Sequence, residues 1–520
     1  MADPLPLNLA TWLLALSPVI GVLILMVVFR WGASQAGAAA WFAAVIVGVV
    51  VFRATIPVLG YAQTKAVLLS LDVLYIIWMA LLFFHVADEA GAVAIIGRRL
   101  PALTSDKVMQ ALLLSWVFVS FLQGMGGFGV PVAVVAPLLV GIGFSALESV
   151  VMASLGHGWA VTFGSLGTSF AALLATTGQT ADALAPESAL LLGLAAFACG
   201  ALVAYMAAKL RGVVRALPAL LVIGTVMAAT QYLLATNGLW NLGATGASLV
   251  GLGVAVGVAR LPFYQREPAS LPAGQSDEGP SLPIALSAYV VLVVLIAMIN
   301  LVPPVERLFD TVVLSLAFPA VETARGWVTP AGSGRAISLF GHPGAILLYA
   351  SLVAYIIYRQ AGCYQEGAVK RITTKVLNGA VKSSLGIVAM VGMATIMGHA
   401  GMTTLIARGL SETVGAGIYP AAAPFVGALG AFMTGSNTNS NVVFGALQMQ
   451  TAELLGLSIS LILAAQTTGG ALGSVLAPAK VIVGCSTVGL AGEEGPVIGR
   501  MLVLGLIPVA LTAIVVWILA

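Results

Sequence analysis

Long apolar segments, separated by short polar ones, recur along the whole sequence. Each is close to the ~20 residues that an α-helix needs to cross ~30 Å of hydrocarbon. They include 13–29, 68–86, 188–208, 288–302 and 501–519. The pattern therefore predicts an all-α, polytopic membrane protein, with about 12 transmembrane helices at this length per crossing.

Glycines and polar residues interrupt one apolar segment in each half of the chain. The interruptions are tip one, residues 123–129 (QGMGGFG), and tip two, residues 435–441 (GSNTNSN). Each is followed by a second interruption: break one, residues 154–169, and break two, residues 466–478. Irregular backbone persists at membrane depth only where it is buried in protein or lines a cavity. Such pairs at corresponding places are typical of secondary transporters with an inverted repeat.

Basic residues predict the topology, because Lys and Arg concentrate in cytoplasmic loops. With these loops inside, both termini fall outside, and the two tips belong to re-entrant hairpins. The hairpin near 108–143 opens to the cytoplasm, and the one near 421–455 opens to the outside. These opposite openings agree with an inverted repeat. The basic clusters lie at 98–107, 209–215, 260–266 and 359–382.

Four parts follow along the chain. Residues 1–210 form the first repeat, 211–260 two connecting helices, and 284–520 the second repeat. Between them, 261–283 is rich in Pro, Gly, Ser and acidic residues, which predicts a cytoplasmic linker. Residues 306–340 are too polar to cross the membrane comfortably, and we expect an external loop or surface helix there.

Composition excludes several classes of protein. The chain is 60% hydrophobic and only 8% charged, whereas soluble domains carry about 25% charged residues. The net charge of +3 is spread over loops, so no nucleic-acid surface is expected. The three cysteines lack metal-ligand spacing, and no cofactor is expected. The expected partners are a small anionic substrate, the lipid bilayer and a second copy of the chain in a homodimer.

Tip two carries the sharpest chemical signal. Hydroxyl and amide side chains follow Gly435, and they can hydrogen-bond a carboxylate or help to coordinate a small cation. The helix that starts after the tip presents free N–H groups and a positive dipole end, which suits an anion. The alternative is a polar loop outside the membrane. The candidate substrate ligands here are Gly435, Ser436, Asn437, Thr438 and Asn439.

Tip one offers glycines and one polar side chain. Glycines let the backbone approach a ligand closely, although close helix packing in lipid explains them as well. The breaks add hydroxyl and amide groups in both halves. The candidate substrate ligands of these regions are Gln123, Gly124, Gly126, Gly127, Gly129, Ser165, Gln466, Thr467 and Thr468.

Charge within these regions is sparse. His157 lies in break one, and an ionisable group inside the membrane is a functional hypothesis by default. It is the candidate for proton coupling, and a neutral structural histidine is the alternative. No Lys or Arg lies within the tips or breaks, and Lys480 follows just beyond break two. We therefore expect helix ends and neutral dipoles to hold a small, singly charged anion.

Two stretches carry a family resemblance. FLQGMGGFGVPVAVVAPLLVGIGF, from Phe121, resembles the glycine-rich segment of the L-lactate permease family. FMTGSNTNSNVVFGALQ, from Phe432, and AAQTTGGALGSVLAPAKVIVGCSTVGLAGEEG, from Ala464, resemble its C-terminal signature. That segment of the family usually begins with a glutamate where this chain has Gln123, and the surroundings of His157 also differ.

The resemblance implies uptake of lactate, and often glycolate, with protons across the cytoplasmic (inner) membrane. It also implies an elevator-type movement, which is typical of the wider group of ion transporters with paired hairpins. Two alternatives stay open: a sodium-coupled carrier of another small organic or sulfonated anion, with Ser436, Asn437 and Thr438 at the sodium site, and an anion channel. An enzyme is not expected, since the tips and breaks contain no cluster suited to acid–base or metal chemistry.

Overall fold

The computed structural model describes residues 6–29, 31–127, 129–265, 280–333, 336–490 and 493–520. Most of the expected linker, 261–283, lies outside the described residues. Helices of the first part are α1 Leu9–Val27, α2 Ala33–Val50, α3 Ile56–Glu89, α4 Ala92–Arg99, α5 Lys107–Leu112, α6 Val119–Met125, α7 Val130–Gly141, α8 Ala146–Gly156, α9 Thr168–Thr177, α10 Ala181–Thr236 and α11 Gly243–Ala259. Helices of the second part are α12 Leu282–Leu301, α13 Pro303–Phe309, α14 Pro343–Gln360, α15 Ala368–His399, α16 Met402–Val414, α17 Tyr419–Thr434, α18 Asn437–Leu455, α19 Ile459–Ser474, α20 Pro478–Thr487 and α21 Glu494–Leu519.

Apolar helices dominate this architecture, which confirms the predicted class of an all-α membrane protein. Within the described residues, seven helices are long and apolar enough to cross a membrane, and four shorter apolar helices accompany them. One of the seven, α10, folds back on itself, because Ala208 and Lys209 have non-helical backbone angles. The count of about 12 crossings treats the two legs of α10 separately. It stays a prediction that rests on the length of the apolar segments.

The two halves present the same order of elements. In the first, the long helix α3 leads to Gly91, whose left-handed backbone (φ 74°) starts the short helix α4. In the second, the long helix α15 leads to Gly401, whose left-handed backbone (φ 84°) starts the short helix α16. A helical pair with a tip, a helix with a break and a final long helix then follow in each half.

Packing between the halves is reciprocal. The long helices α3 and α15 lie against each other, α2 packs on α15, and α14 packs on α3. Likewise, α1 contacts α16 while α12 contacts α4. Small residues permit the close approach: Gly37 of α2 lies against Ala389, and Gly344 of α14 lies against Tyr75. Each half thus supplies a helix to the other half.

Ion pairs gather where the basic loops were expected. Glu89, at the end of α3, accepts hydrogen bonds from Arg371 (2.5 Å) and Lys375 (3.1 Å) at the start of α15. Asp106 pairs with Arg215 at 2.9 Å and also caps α5. These contacts tie α3 to α15 and the start of α5 to α10.

A β-hairpin occupies most of the polar segment 306–340. Its six two-residue strands are β1 Val313–Leu314, β2 Ala317–Phe318, β3 Val321–Glu322, β4 Val328–Thr329, β5 Gly332–Ser333 and β6 Ile337–Ser338, and they pair antiparallel as β1–β6, β2–β5 and β3–β4. Of the two alternatives expected for this segment, a loop or a surface helix, the structure shows a loop beyond α13, in which backbone pairing satisfies the polar peptides. Arg325 donates to the carbonyl of Val51, and Thr329 donates to that of His399. The hairpin therefore covers the end of the long helices opposite to Glu89.

Candidate functional site

Tip two is a sharp turn between α17 and α18. Gly435 ends α17 in the left-handed region (φ 70°), where a glycine avoids the steric cost of a side chain. Ser436 caps α18, its hydroxyl accepting from the N–H of Asn439 at 3.3 Å. Asn437, Thr438 and Asn439 therefore form the first turn of α18, and all three are buried. The expected polar tip is mostly a helix N-terminus.

Asn437 joins the two halves of the chain. Its Nδ2 donates to Oγ1 of Thr162 in break one (3.1 Å) and to Oγ1 of Thr467 on α19 (3.4 Å). The Thr162 hydroxyl donates in turn to the carbonyl of Thr467 at 3.0 Å. Glycine makes room for this side chain, since a Cβ on Gly470 would lie 2.1 Å from Asn437 Oδ1.

Neighbouring side chains extend this contact. The hydroxyls of Thr438 and Ser169 lie 3.1 Å apart, and Asn441 Nδ2 donates to the carbonyl of Ser169 at 2.9 Å. Gln466 instead donates to Ser440 (3.0 Å) and accepts from Gln448 (3.1 Å). Because both ends of the Gln466 amide are used within the protein, this side chain positions α18 against α19.

Tip one contacts break one through the backbone. The carbonyls of Gln123 and Gly124 accept from the N–H groups of Ser165 (2.9 Å) and Leu166 (3.1 Å). Both donors have positive φ, 46° and 55°, which non-glycine residues seldom adopt. Gly127 faces the Ser165 hydroxyl, because a Cβ there would lie 2.3 Å from Oγ. Strained backbone of this kind clusters at functional sites.

The remaining tip-one glycines serve different neighbours. A Cβ on Gly124 would lie 2.8 Å from the Cα of Thr245, and one on Gly126 would lie 2.9 Å from Phe84. These two glycines therefore allow close helix packing, which was the alternative explanation. Gly129 starts α7 in the left-handed region, beside Val483 of α20.

Break one lies between the two tips. Its Ser165 end bonds tip one, and its Thr162 and Ser169 groups bond tip two. In the part of the chain that the structure describes, no hydrogen bond joins tip one directly to tip two. Break one thus brings residues of both halves into one polar cluster at the centre of the helices.

Several buried oxygens of this cluster have no hydrogen-bond partner among the described residues. An unsatisfied buried polar group costs about 1–3 kcal/mol, so each calls for an explanation such as a ligand or water. Those in the tips and in break two are Gln123 Oε1, Asn437 Oδ1, Asn439 Oδ1, Asn441 Oδ1 and Thr468 Oγ1.

His157 ends α8 and is buried. Its Nδ1 lies 2.8 Å from the carbonyl of Ala153, one turn earlier on the same helix. Leu472 and Val475 of α19 face the adjacent Gly158. The histidine therefore lies at the interface of the two halves.

The structure shows two polar contacts that the sequence analysis did not predict. Lys480 Nζ donates to Ser474 Oγ at 3.2 Å, which brings a positive charge into break two. The signal was its position, since the lysine follows the break by only a few residues and has a long, flexible side chain. Away from the tips, buried Asp72 of α3 lies 3.1 Å from His342 Nε2. A lone acid in the apolar run of α3 was the available signal for this pair.

The match to known families decides the classification. The protein-family model described as L-lactate permease matches residues 11–520 of this chain. The chain belongs to the L-lactate permease family. It is 27% identical to the L-lactate permease of Bacillus subtilis (strain 168), over 93% of this chain and 91% of that protein. It is 26% identical to the glycolate permease GlcA of Escherichia coli (strain K12), over 93% and 90% of the two chains.

One solved structure resembles the fold more distantly. The Alcanivorax borkumensis YdaH transporter superposes with a TM-score of 0.43 at 14% identity, over 85% of this chain and 84% of that one.

Membership of the L-lactate permease family confirms the predicted resemblance. It also confirms that the chain is a multi-pass membrane transporter and not an enzyme.

Proposed function

We propose that this family member takes up a small hydroxy-monocarboxylate, such as lactate or glycolate, across the cytoplasmic membrane by secondary active transport. Relatives named L-lactate permease and glycolate permease support the substrate class. The residues for binding are those of the two tips and breaks. The basic loops support a topology with both termini outside.

One observation carries this proposal. Asn437 Oδ1 is buried where the two halves meet, and it has no hydrogen-bond partner among the described residues. It lies in the first turn of α18, whose free N–H groups and dipole suit a carboxylate. An amide oxygen accepts hydrogen bonds and cannot donate them. The hydroxyl of a 2-hydroxy acid is a suitable donor. Both features of the substrate therefore have a complement at one helix end.

Reciprocal packing supports alternating access through an inverted repeat, with 1–210 and 284–520 as its two units. The long helices α3 and α15, with α1, α2, α12 and α14, form a frame on this proposal. The tips and breaks form a second group that carries the substrate as a rigid elevator. Homodimerisation through the frame belongs to the same proposal.

Counterflow in proteoliposomes tests the substrate. Liposomes loaded with unlabelled L-lactate should accumulate external radiolabelled lactate transiently, because one site binds the anion from either face. Glycolate should compete, and uptake should saturate with concentration. A small anion without the hydroxyl, propionate, should compete less well.

Protein-free liposomes supply the background for that assay. A flux that never saturates and shows no counterflow would favour the anion-channel alternative. Saturable counterflow by a sulfonated anion but not by lactate or glycolate would move the substrate to the other class of organic anion.

For coupling we propose proton symport, as the family resemblance implies. The titratable side chains in or directly beside the tips and breaks are His157 and Lys480. An imposed gradient, acidic outside, should drive lactate accumulation, and a sodium gradient should have little effect. His157→Gln should flatten the dependence of uptake on external pH, because glutamine cannot take up a proton.

His399→Gln is the matched control for this variant. His399 also ends a long helix and lies 2.9 Å from the carbonyl of the residue one turn earlier, Thr395. It should keep the pH dependence of the unmodified protein. Uptake that requires sodium and ignores the pH gradient would instead assign the coupling ion to Ser436, Asn437 and Thr438.

A further inference from the structure

Lys480 is a half-buried lysine at the start of a helix that directly follows break two. It is the third residue of α20, and its Nζ donates to the hydroxyl of Ser474 at the end of α19. No carboxylate among the described residues forms an ion pair with it. A charged group inside a membrane span is expensive and usually marks a functional path.

Lys480 lies on α20, which packs against helices α7 and α8 of the other half of the chain. Gly484 packs against Val150 of α8 and Val132 of α7. Residues four apart share one helix face, so Lys480 starts from the face of α20 that Gly484 packs against α7 and α8. The ammonium itself lies at the Ser474 hydroxyl, at the end of α19.

The same face of α19 links Lys480 to tip two. Thr467, Gly470 and Ser474 follow one another at helical spacing, so they line one stripe. Asn437 contacts the Thr467 and Gly470 end of this stripe, and Lys480 contacts Ser474. Gly470 and Ser474 are separated by one turn, about 6 Å along the axis. Asn437 Oδ1 and the Lys480 ammonium therefore contact the same face of α19, at positions about one helical turn apart.

Those two groups complement a 2-hydroxy acid, whose carboxylate and hydroxyl are on adjacent carbons. We propose that Lys480 binds the carboxylate of the transported anion while Asn437 Oδ1 accepts from its hydroxyl. This inference rests on the proposed function and assigns the negative charge of the substrate to a residue outside both tips. It adds one cation to the helix ends and neutral dipoles that are expected to hold most of the anion.

The decisive comparison is between lactate and lactamide, which has the same shape but no charge. Binding of each to the purified full-length protein is measured by competition against radiolabelled lactate in detergent. For the unmodified protein, lactate should bind about 10- to 100-fold more tightly than lactamide, the range expected for a charge-assisted hydrogen bond. In Lys480→Gln this preference should fall to within about threefold, while Lys480→Arg should keep most of it.

Lys65→Gln is the matched control, because Lys65, like Lys480, is a half-buried lysine within a helix, in this case α3. It should leave the lactate preference unchanged. Competition by lactamide in Lys480→Gln at unchanged affinity would show that the variant is folded.

Each other outcome has a clear meaning. If the unmodified protein binds lactate and lactamide equally, no cation binds the carboxylate. That result overturns the inference before any variant is made. If Lys480→Gln keeps the full preference, the inference fails while lactate transport stands. If the unmodified protein binds neither lactate nor glycolate, the proposed function itself fails.

Discussion

Replacing Asn437 by aspartate is expected to reduce lactate uptake by at least about 100-fold, equivalent to roughly 3 kcal/mol. The change keeps the shape of the side chain but removes both Nδ2 donors. An acceptor with a negative charge then faces the oxygens of Thr162 and Thr467, 3.1 Å and 3.4 Å from the original nitrogen. It also places that charge where an anion is proposed to bind, so repulsion adds to the lost hydrogen bonds.

The measurement is the initial rate of radiolabelled lactate uptake in proteoliposomes under a fixed pH gradient. Asn237→Asp is the matched control, because Asn237 is exposed at the end of α10 and donates only to nearby groups of its own segment. Size-exclusion profiles should show that both variants are folded. Uptake by Asn437→Asp within about threefold of the unmodified rate, below the cost of a lost buried hydrogen bond, would place the substrate away from tip two.

Replacing Gly156 by alanine is expected to prevent stable folding. A Cβ at this position would lie 1.5 Å from the carbonyl oxygen of Ser115 and 2.7 Å from its carbonyl carbon. Gly156 and Ser115 are both buried, and their backbones lie against each other. Ser115 belongs to the π-helical turn Leu113–Phe118, which joins α5 to α6. No flexible side chain can move away, so α8 must separate from this turn. Such core overpacking gives destabilisation at the extreme end of point mutations, above about 4 kcal/mol.

Recovery after size exclusion and thermal unfolding by intrinsic tryptophan fluorescence report the effect. Gly141→Ala is the control, since a Cβ on this glycine of α7 meets nothing within 4 Å. That substitution should be neutral or stabilise by up to about 1 kcal/mol through lower entropy of the unfolded chain. An unfolding midpoint for Gly156→Ala equal to that of the control would contradict the close contact of α8 with Ser115.

Local patterns in the sequence were enough for the class of protein and for the regions that interrupt its helices. The apolar runs predicted an all-α membrane protein because burial in lipid requires that composition over a whole helix. Glycine and polar residues within those runs marked the tips, and Gly435 does take a left-handed turn before α18. The same residues carried the resemblance to the L-lactate permease family, which the comparison confirms.

Only the tertiary structure decided which of these residues meet. Asn437 and Thr162 are 275 positions apart, and no local pattern says that an amide of one half bonds a hydroxyl of the other. Lys480 was set aside because it follows break two, yet its side chain turns back to Ser474. Gly124 and Gly126 stay candidate ligands, and only the structure shows that they also pack against α11 and α3. Periodicity reports which face of a helix is apolar, whereas the partner of that face depends on how all the helices pack together.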